Sequence, residues 1–503
     1  MLGARGLFGR YKTQNVNLNT RRSSKSLQTG FLRTEIPASL SIRQSGGRFP
    51  RNTLKVVLQI FGRRPAWRSG VIEICVQCRF RLRGGATTRY LSTWAQDVED
   101  ISRETKTPSL TGRVHIIGLG NAGTFIAHSL ASRQSPPPIT LLMHQASFYH
   151  AFRRKKRSIA VNYNGLDDNR TGFDVEVLHD KVWHRIPSKE EHLEAVDDET
   201  EILEDEEMVR EEEEHIECLI VCCKAYMTEK VIRGVRHRLS PDSTILFIQN
   251  GLGIIERLNK EIFPDEMTRP HYMQGVLSHG LKKQDAYKVG HVNVGSLILS
   301  PVVTGQTPLI EAEKDTHWAP TTKYLLRLLT LTPSLVATAD TPAGLLQYQL
   351  ERVAVGCVLG SLGAIHDCKN RELLYNFPVS RTMRLLLLEI SSVICALPEL
   401  RGIPGIEDRF SPERLRRLVL NVASNRPEDT SSLRNDLHYQ RNTEIDFLNG
   451  WIVKRGEELG MKCVLNYMIQ QLVLSRMFII NHREASAVPI DFDNVILSGD
   501  KDD

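Results

Sequence analysis

A doubly wound α/β domain followed by an all-α domain is the fold class this sequence predicts, on three observations. A short apolar strand runs into a glycine-rich turn and then a helix near residue 118. Strand-like and helix-like segments alternate from there to about residue 330, with polar residues at the strand ends. Beyond residue 340 the apolar residues recur with a 3.6-residue period and strands disappear. Alternation of this kind places a parallel sheet between helical layers, and the later period places a helical unit after it.

The first unit begins at Arg113. The β-branched residues Val114, Ile116 and Ile117 form the strand, and Gly118-Leu119-Gly120-Asn121-Ala122-Gly123 forms the turn. Phe125, Ile126, Leu130 and Ala131 then fall on one helix face. Strand, turn and helix in this order are what a dinucleotide pyrophosphate requires. Gly118 permits the tight turn, Gly120 lets the backbone approach the pyrophosphate, and Gly123 lets the helix lie close to the strand. The helix N-terminus offers unpaired N–H groups to the anion. Gly118 to Gly123 are therefore the candidate cofactor-binding residues of a Rossmann domain. An ordinary glycine-rich βα turn is the competing reading, which the flanking strand and helix disfavour.

Pro136-Pro137-Pro138 ends the helix, and Ile139–Met143 reads as the second parallel strand. The basic cluster Arg153–Arg157 follows, then extended segments at Ile159–Asn162 and Phe173–Leu178. Turn chemistry at Asn164-Gly165 and Asp167–Gly172 separates these. Residues 189–217 hold 16 acidic residues against Lys189 and Arg210, the signature of a solvated insertion. Cys218–Cys223 is an apolar strand ending at Lys224-Ala225-Tyr226, and Thr244–Ile248 is another, ending at Gln249-Asn250-Gly251-Leu252-Gly253. Ligands of a doubly wound sheet gather outside the carboxyl ends of its strands, so these strand ends are candidate site residues. Four helical segments are expected after Ala343: Leu345–Ile365, Ser380–Ala396, Ser411–Asn425 and Tyr439–Leu459.

The expected organisation is a mostly disordered presequence and connector over 1–108, a Rossmann domain over 109–335 with the acidic insertion at about 189–215, a helical substrate and dimerisation domain over 336–487, and a polar tail over 488–503. Charge is unevenly spread along it. Residues 1–90 carry 18 Lys and Arg against only Glu35 and Glu73, whereas the remainder holds 47 basic and 57 acidic residues. An Arg- and Ser-rich, acid-poor segment without an apolar core has the composition of a mitochondrial transit segment. Arg89-Tyr90-Leu91-Ser92-Thr93 looks like a matrix-processing site; an RNA-binding basic arm is the competing reading. The net acidic body argues against a nucleic-acid partner. No run approaches 18 apolar residues, so no membrane span is expected. Nine cysteines show no regular framework, and Cys75-x-x-Cys78 lacks the second pair of a zinc site. Cys222-Cys223 reads as a pair of small buried hydrophobes.

Five blocks in order carry a resemblance: the glycine turn, Lys224-Ala225-Tyr226, Gln249–Gly253, Ala343–Leu374 with its Cys368-x-Asn370-x-Glu372-Leu373 ending, and Asn442–Gly450. Together the sequence resembles the ketopantoate reductase family (2-dehydropantoate 2-reductases) from about residue 113 to 485. The resemblance implies a Rossmann domain, an all-α domain, NADPH bound between them, and a 2-keto acid in the cleft. An NAD enzyme places an acid near the end of the second strand. Here that place holds Met143-His144-Gln145, and the family's phosphate-binding arginine would fall at Gln145. The missing acid favours NADPH, with Arg153 or Arg154 as candidates to reach its extra phosphate.

The resemblance implies further roles. Lys224 helps hold cofactor and substrate, and the Asn250 amide donates to a carbonyl or ribose oxygen. Glu444 accepts from a substrate hydroxyl or organises the closed cleft, and Ser432 meets the substrate carboxylate. The family's proton-donating lysine is Arg352 here, and two substrate-contacting asparagines are Gly356 and Gly360. Spacing of four residues puts all three on one helix face, so one cleft wall has changed. Arginine stays protonated at neutral pH, but it polarises a carbonyl or clamps a carboxylate as a fixed cation. The glycines imply space or close helix packing; either the cleft takes a bulkier keto acid or chemistry has been lost. The catalytic candidates are thus Arg352, Lys224 and Glu444. The leading reading is an NADPH-dependent 2-keto acid reductase of the mitochondrial matrix; the alternative is a non-catalytic mitochondrial translational activator or assembly factor on the same scaffold.

Overall fold

Val114–Ile117 forms β1, a wholly buried strand at the middle of the principal sheet of a computed structural model of the protein. The structure describes residues 110–186, 214–303 and 318–485, with short segments at 53–56, 72–75, 79–81, 210–211 and residue 309. The chain divides into two compact units, Met1–Thr107 and Pro108–Asp503. In the first, Thr53–Val56, Ile72–Cys75 and Arg79–Arg81 form a three-stranded antiparallel sheet. Thr53, Val56, Ile72 and Ile74 are β-branched and favour the extended backbone of the first two segments. The rest of 1–108, the proposed processing site, most of the acidic insertion and the tail from 488 lie outside the described residues.

In the second unit, α1 (Asn121–Ala131) follows β1, then β2 (Ile139–Met143) and α2 (Ala146–Arg154). β3 (Ile159–Tyr163), β4 (Leu166–Arg170), β5 (Asp174–His179), β6 (Val182–Ile186) and β7 (Arg210–Glu211) come next. β8 (Cys218–Val221), α3 (Thr228–Val235), β9 (Thr244–Phe247) and α4 (Ile254–Glu261) complete the parallel core. β10 (His271–Leu277), β11 (Gly280–Asp285), β12 (Lys288–Asn293), β13 (Leu297–Pro301), α5 (Pro320–Thr330) and β14 (Ala337–Ala339) follow. The ten-stranded sheet has the order β7-β6-β5-β2-β1-β8-β9-β10-β13-β14. β1 pairs in parallel with β2 and β8, and β8–β9–β10 continue in parallel, as a doubly wound sheet requires. β14 pairs in parallel with β13, so the α/β part runs a few residues beyond 335. A second sheet, in which β3 is the extended segment expected at Ile159–Asn162, has the order β11-β12-β3-β4. It covers α1, where Phe125 lies 4.9 and 5.1 Å from the rings of His279 and His291.

The helical part begins at α6 (Pro342–Val355), capped by the Thr341 hydroxyl, and passes through a π-turn at Gly356–Gly360 into α7 (Ser361–His366). α8 (Asn370–Leu374), α9 (Phe377–Cys395), α10 (Ile406–Arg409), α11 (Pro412–Asn425), α12 (Ser432–His438), α13 (Asn449–Glu458) and α14 (Val464–Ala485) follow. The single helix expected over Tyr439–Leu459 is broken. Gln440 takes a left-handed φ of 54°, and the chain runs as a loop and a short 3-10 turn until Asn449. Among the described residues no helix is long and apolar enough to cross a membrane.

The α/β and all-α parts interlock. Phe447 joins the apolar core on one face of the sheet, and Leu252 joins the helical core. Gly251 (φ 94°) makes this possible, because a Cβ there would stand 2.6 Å from the Phe447 Cβ. The Leu252 amide donates to the Phe447 carbonyl at 3.1 Å, which ties the loop after β9 to the helical part.

Candidate functional site

The carboxyl ends of β1, β8, β9 and β10 open toward the helical part. At the first of them the three glycines do what the sequence required. Gly118 (φ 91°) has no room for a side chain, since a Cβ would stand 2.3 Å from the Cys223 amide nitrogen. Gly123 is as confined, with its Cβ position 2.2 Å from the Gly118 carbonyl oxygen. A Cβ on Gly120 would meet nothing within 4 Å, so open space lies just outside the turn. No side chain caps α1 and its first turn holds no acid. Leu119 and Ala122 pack inward on the sheet core. The Asn121 side-chain amide donates to the Leu281 carbonyl at 3.4 Å, which ties the turn to the second sheet. An uncapped helix start facing an open cradle fits a pyrophosphate. Cys222 and Cys223 line the turn's inner side, half-buried rather than fully buried, and burial pushes both thiols well up.

Lys224, directly after β8, reaches across to the helical part. Its Nζ donates to Asp436 Oδ2 at 2.8 Å and Glu444 Oε2 at 3.2 Å. Glu444 Oε1 accepts the Ala225 amide at 2.8 Å, so both of its oxygens are engaged and it organises the cleft. The loop that breaks the expected Tyr439–Leu459 helix is what lets Glu444 turn back to β8. The carboxylates are 4% and 8% exposed but the lysine side chain is 35% exposed, so its ammonium remains reachable from the cleft. Burial alone would lower the Lys224 pKa; the Glu444 and Asp436 charges outweigh it and hold the amine above its ordinary value. Asp436 was missed by the sequence reading, although it lies in the ungapped stretch between Ser432 and Glu444.

Arg352, on α6, forms the third station. Its Nη1 donates to the Leu277 carbonyl at the end of β10 at 2.7 Å, and Nη2 donates to Asn250 Oδ1 at 2.6 Å. Asn250 is thereby oriented with its NH2 free to donate. Ser432 starts α12, exposed and without a protein hydrogen-bond partner among the described residues. Its neighbour Ser431 serves the fold, accepting the Arg434 amide and donating to the Gly360 carbonyl at 3.0 Å.

One expectation is corrected here. Arg352, Gly356 and Gly360 do not line one wall. Cβ positions on Gly356 and Gly360 would stand 3.1 Å from Leu448 and 3.2 Å from Leu433, so leucines from other helical elements already fill the space. Close packing, not a larger substrate pocket, accounts for the glycines. Arg153 and Arg154 sit in the last turn of α2, roughly 12 Å along its axis from Gln145 at its start. Lys230 of α3 lies near enough to His144 for its charge, after burial, to lower the pKa of that histidine.

A dinucleotide-type turn facing a cationic cleft between an α/β and an all-α part defines a two-domain oxidoreductase class. The sequence matches the family model Ketopantoate reductase PanE/ApbA over residues 114–303 and its C-terminal counterpart over 345–476. The chain belongs to the ketopantoate reductase family, whose members are oxidoreductases. A probable 2-dehydropantoate 2-reductase of Schizosaccharomyces pombe is 26% identical over 371 residues, 73% of this chain and 97% of that protein. Among solved structures, a D-mandelate dehydrogenase with NADH and anilino(oxo)acetate has a TM-score of 0.53 at 17% identity, covering 73% of this chain and 99% of that one. A PanE/ApbA family ketopantoate reductase from Ralstonia eutropha has a TM-score of 0.52 at 16% identity, covering 74% and 100%.

Proposed function

We propose that this protein reduces a 2-keto acid with NADPH, nominally 2-dehydropantoate to pantoate, and that residues 1–90 direct it to the mitochondrial matrix. The observation that carries the catalytic reading is the pair of preorganised cations on either side of the Asn250 strand end, Lys224 at the end of β8 and Arg352 bonded to the end of β10. A nicotinamide cofactor supplies the hydride when bound at the Gly118–Gly123 turn. Arg352 polarises the keto oxygen as a fixed charge and stabilises the negative charge that grows on it. Lys224, kept protonated by Asp436 and Glu444, is the group able to deliver a proton. The Asn250 amide and the unpartnered Ser432 hydroxyl position the substrate. A homodimer through the helical part completes the proposal: α14 leaves Tyr467, Met468, Leu472 and Ile479 exposed along one side, and a monomeric mass by light scattering excludes it.

Fluorescence titration of NADPH and NADH, followed by 2-dehydropantoate-dependent oxidation, tests the reading. Gly120→Val places its Cβ where nothing lies within 4 Å and extends into the open cradle, and it should abolish NADPH binding with the melting temperature kept. Equal NADPH affinity in variant and wild type removes the cofactor assignment. NADPH binding without oxidation by any 2-keto acid favours the non-catalytic translational-activator reading. A reporter fused to residues 1–90 that stays in the cytosol removes the matrix assignment.

A further inference from the structure

Two guanidinium groups approach the β10–β11 corner, and among the described residues no carboxylate pairs with either. Arg352 spends its hydrogen bonds on two neutral acceptors, the Leu277 carbonyl and the Asn250 side chain. Arg426 arrives from the end of α11. Its Nη2 stands 3.3 Å from the Cβ position of Gly280, just beyond Leu277 in the chain. Gly280 thus leaves the gap through which this guanidinium reaches the β10–β11 corner. The position is built rather than incidental. The buried Asn370 of the Cys368-x-Asn370-x-Glu372-Leu373 block donates its side-chain amide to the Arg426 carbonyl at 2.9 Å, and the Arg371 amide donates to the Pro427 carbonyl at 3.0 Å. The Arg426 side chain itself stays open to solvent.

Elsewhere in this chain, neighbouring arginines share an acid. Arg409 and Arg414 share Glu351, Arg434 and Arg476 share Asp367, and Arg113 and Arg185 share Asp174. Arg352 and Arg426 share none among the described residues. Burial, and then the Arg426 charge, pull the Arg352 pKa below the ordinary arginine value. Two like charges at a partly desolvated corner repel, and a bound anion relieves the repulsion while accepting forked N–H donors.

We propose that Arg426 seats the carboxylate of the substrate beside Arg352, which meets the adjoining keto oxygen, and this makes Arg426 a specificity-determining residue for 2-keto acids over their neutral analogues. The inference rests on the 2-keto acid reading, deepens it, and is separable from it by experiment. The full-length chain is loaded with oxidised NADP, which prevents turnover, and titrated calorimetrically with 2-oxo-3-methylbutanoate or its methyl ester. Wild type should bind the acid about tenfold or more tightly than the ester. Arg426→Gln should weaken the acid by about tenfold and leave the ester and NADPH unchanged, and Arg426→Lys should restore part of the loss. A parallel loss for acid and ester marks a structural role and overturns the seat. So does unchanged acid binding, or a loss confined to NADPH, which would assign the arginine to a cofactor phosphate. Wild type binding neither compound also overturns it. Acid binding that depends on Arg426 without reduction by NADPH keeps the seat and removes the reductase reading; reduction with a KM indifferent to Arg426→Gln does the reverse.

Discussion

Replacing Arg352 by alanine removes the cation best placed to meet a developing alkoxide. The guanidinium is held at 2.7 Å by the Leu277 carbonyl and at 2.6 Å by Asn250, so it is oriented before a substrate arrives. Loss of one preorganised donor of this kind typically lowers turnover by about 100–1,000-fold, or about 2.7–4 kcal/mol of transition-state stabilisation. The truncation also frees the Asn250 amide to rotate and strips two acceptors of a charged donor. Hydrogen bonds to charged groups contribute about 1.5–3 kcal/mol each where water cannot substitute. Water does reach this half-buried position, so a total stability loss of about 1–3 kcal/mol is expected. Stopped-flow and steady-state oxidation of NADPH with a 2-keto acid gives kcat and KM; fluorescence gives the NADPH affinity; urea unfolding gives stability. The expected pattern is a kcat lower by about 100-fold or more, a raised KM, and an NADPH dissociation constant within about twofold of wild type. Arg352→Lys should recover only part of kcat, because an ammonium restores the charge but cannot span both acceptors as the planar fork does. A kcat within about threefold of wild type, or a loss of NADPH binding that tracks the loss of kcat, would refute the reasoning and make Arg352 a structural bridge.

Gly356→Asn and Gly360→Asn, which restore the family pattern, should each destabilise by about 1–3 kcal/mol in urea unfolding, because Leu448 and Leu433 occupy the space; unchanged midpoints would show the leucines to be freely displaced. Lys230→Ala should weaken NADPH about tenfold with NADH unaffected, read by fluorescence titration, and equal effects on both cofactors would exclude a phosphate role. His115, buried beside Arg238, has its pKa lowered from 6.5 to about 3, chiefly by burial and then by the Arg238, Arg113 and Arg185 charges. The folded state therefore keeps it neutral while the unfolded chain takes up a proton, so its contribution is intact above pH 6.5 and is lost as pH falls toward about 3. His115→Leu should flatten that part of the melting-temperature profile, and an unchanged acid limb would assign the loss to other groups.

The parts of this protein legible in sequence are those whose physics is local. Gly118 and Gly123 are glycines because backbone atoms of the same turn and of the adjacent strand occupy the Cβ positions. That requirement is written into six consecutive residues. Lys224 and Asn250 could be placed at strand ends because alternation of apolar runs and polar punctuation reports where strands stop. Helical periodicity likewise announced an all-α part.

Periodicity states which face of an element is buried, but it does not name what lies against that face. The four-residue spacing of Arg352, Gly356 and Gly360 suggested one shared wall; packing instead gave the glycines to Leu448 and Leu433 and left the arginine alone at the cleft. An apolar pattern continuous from Tyr439 to Leu459 hid a break, because the break is stabilised from outside by Glu444 reaching Lys224 and Ala225. Asp436 meets Lys224 across 212 residues of chain, and Arg426 reaches the β10–β11 corner through the gap at Gly280. Such pairings follow from the docking of one domain on another. Sequence determined the glycine turn, the strand-end residues and the plan of an α/β part followed by an all-α part, since each rests on neighbours in the chain. Tertiary structure alone decided which charges share the cleft, because the energy of a charge depends on what surrounds it in space.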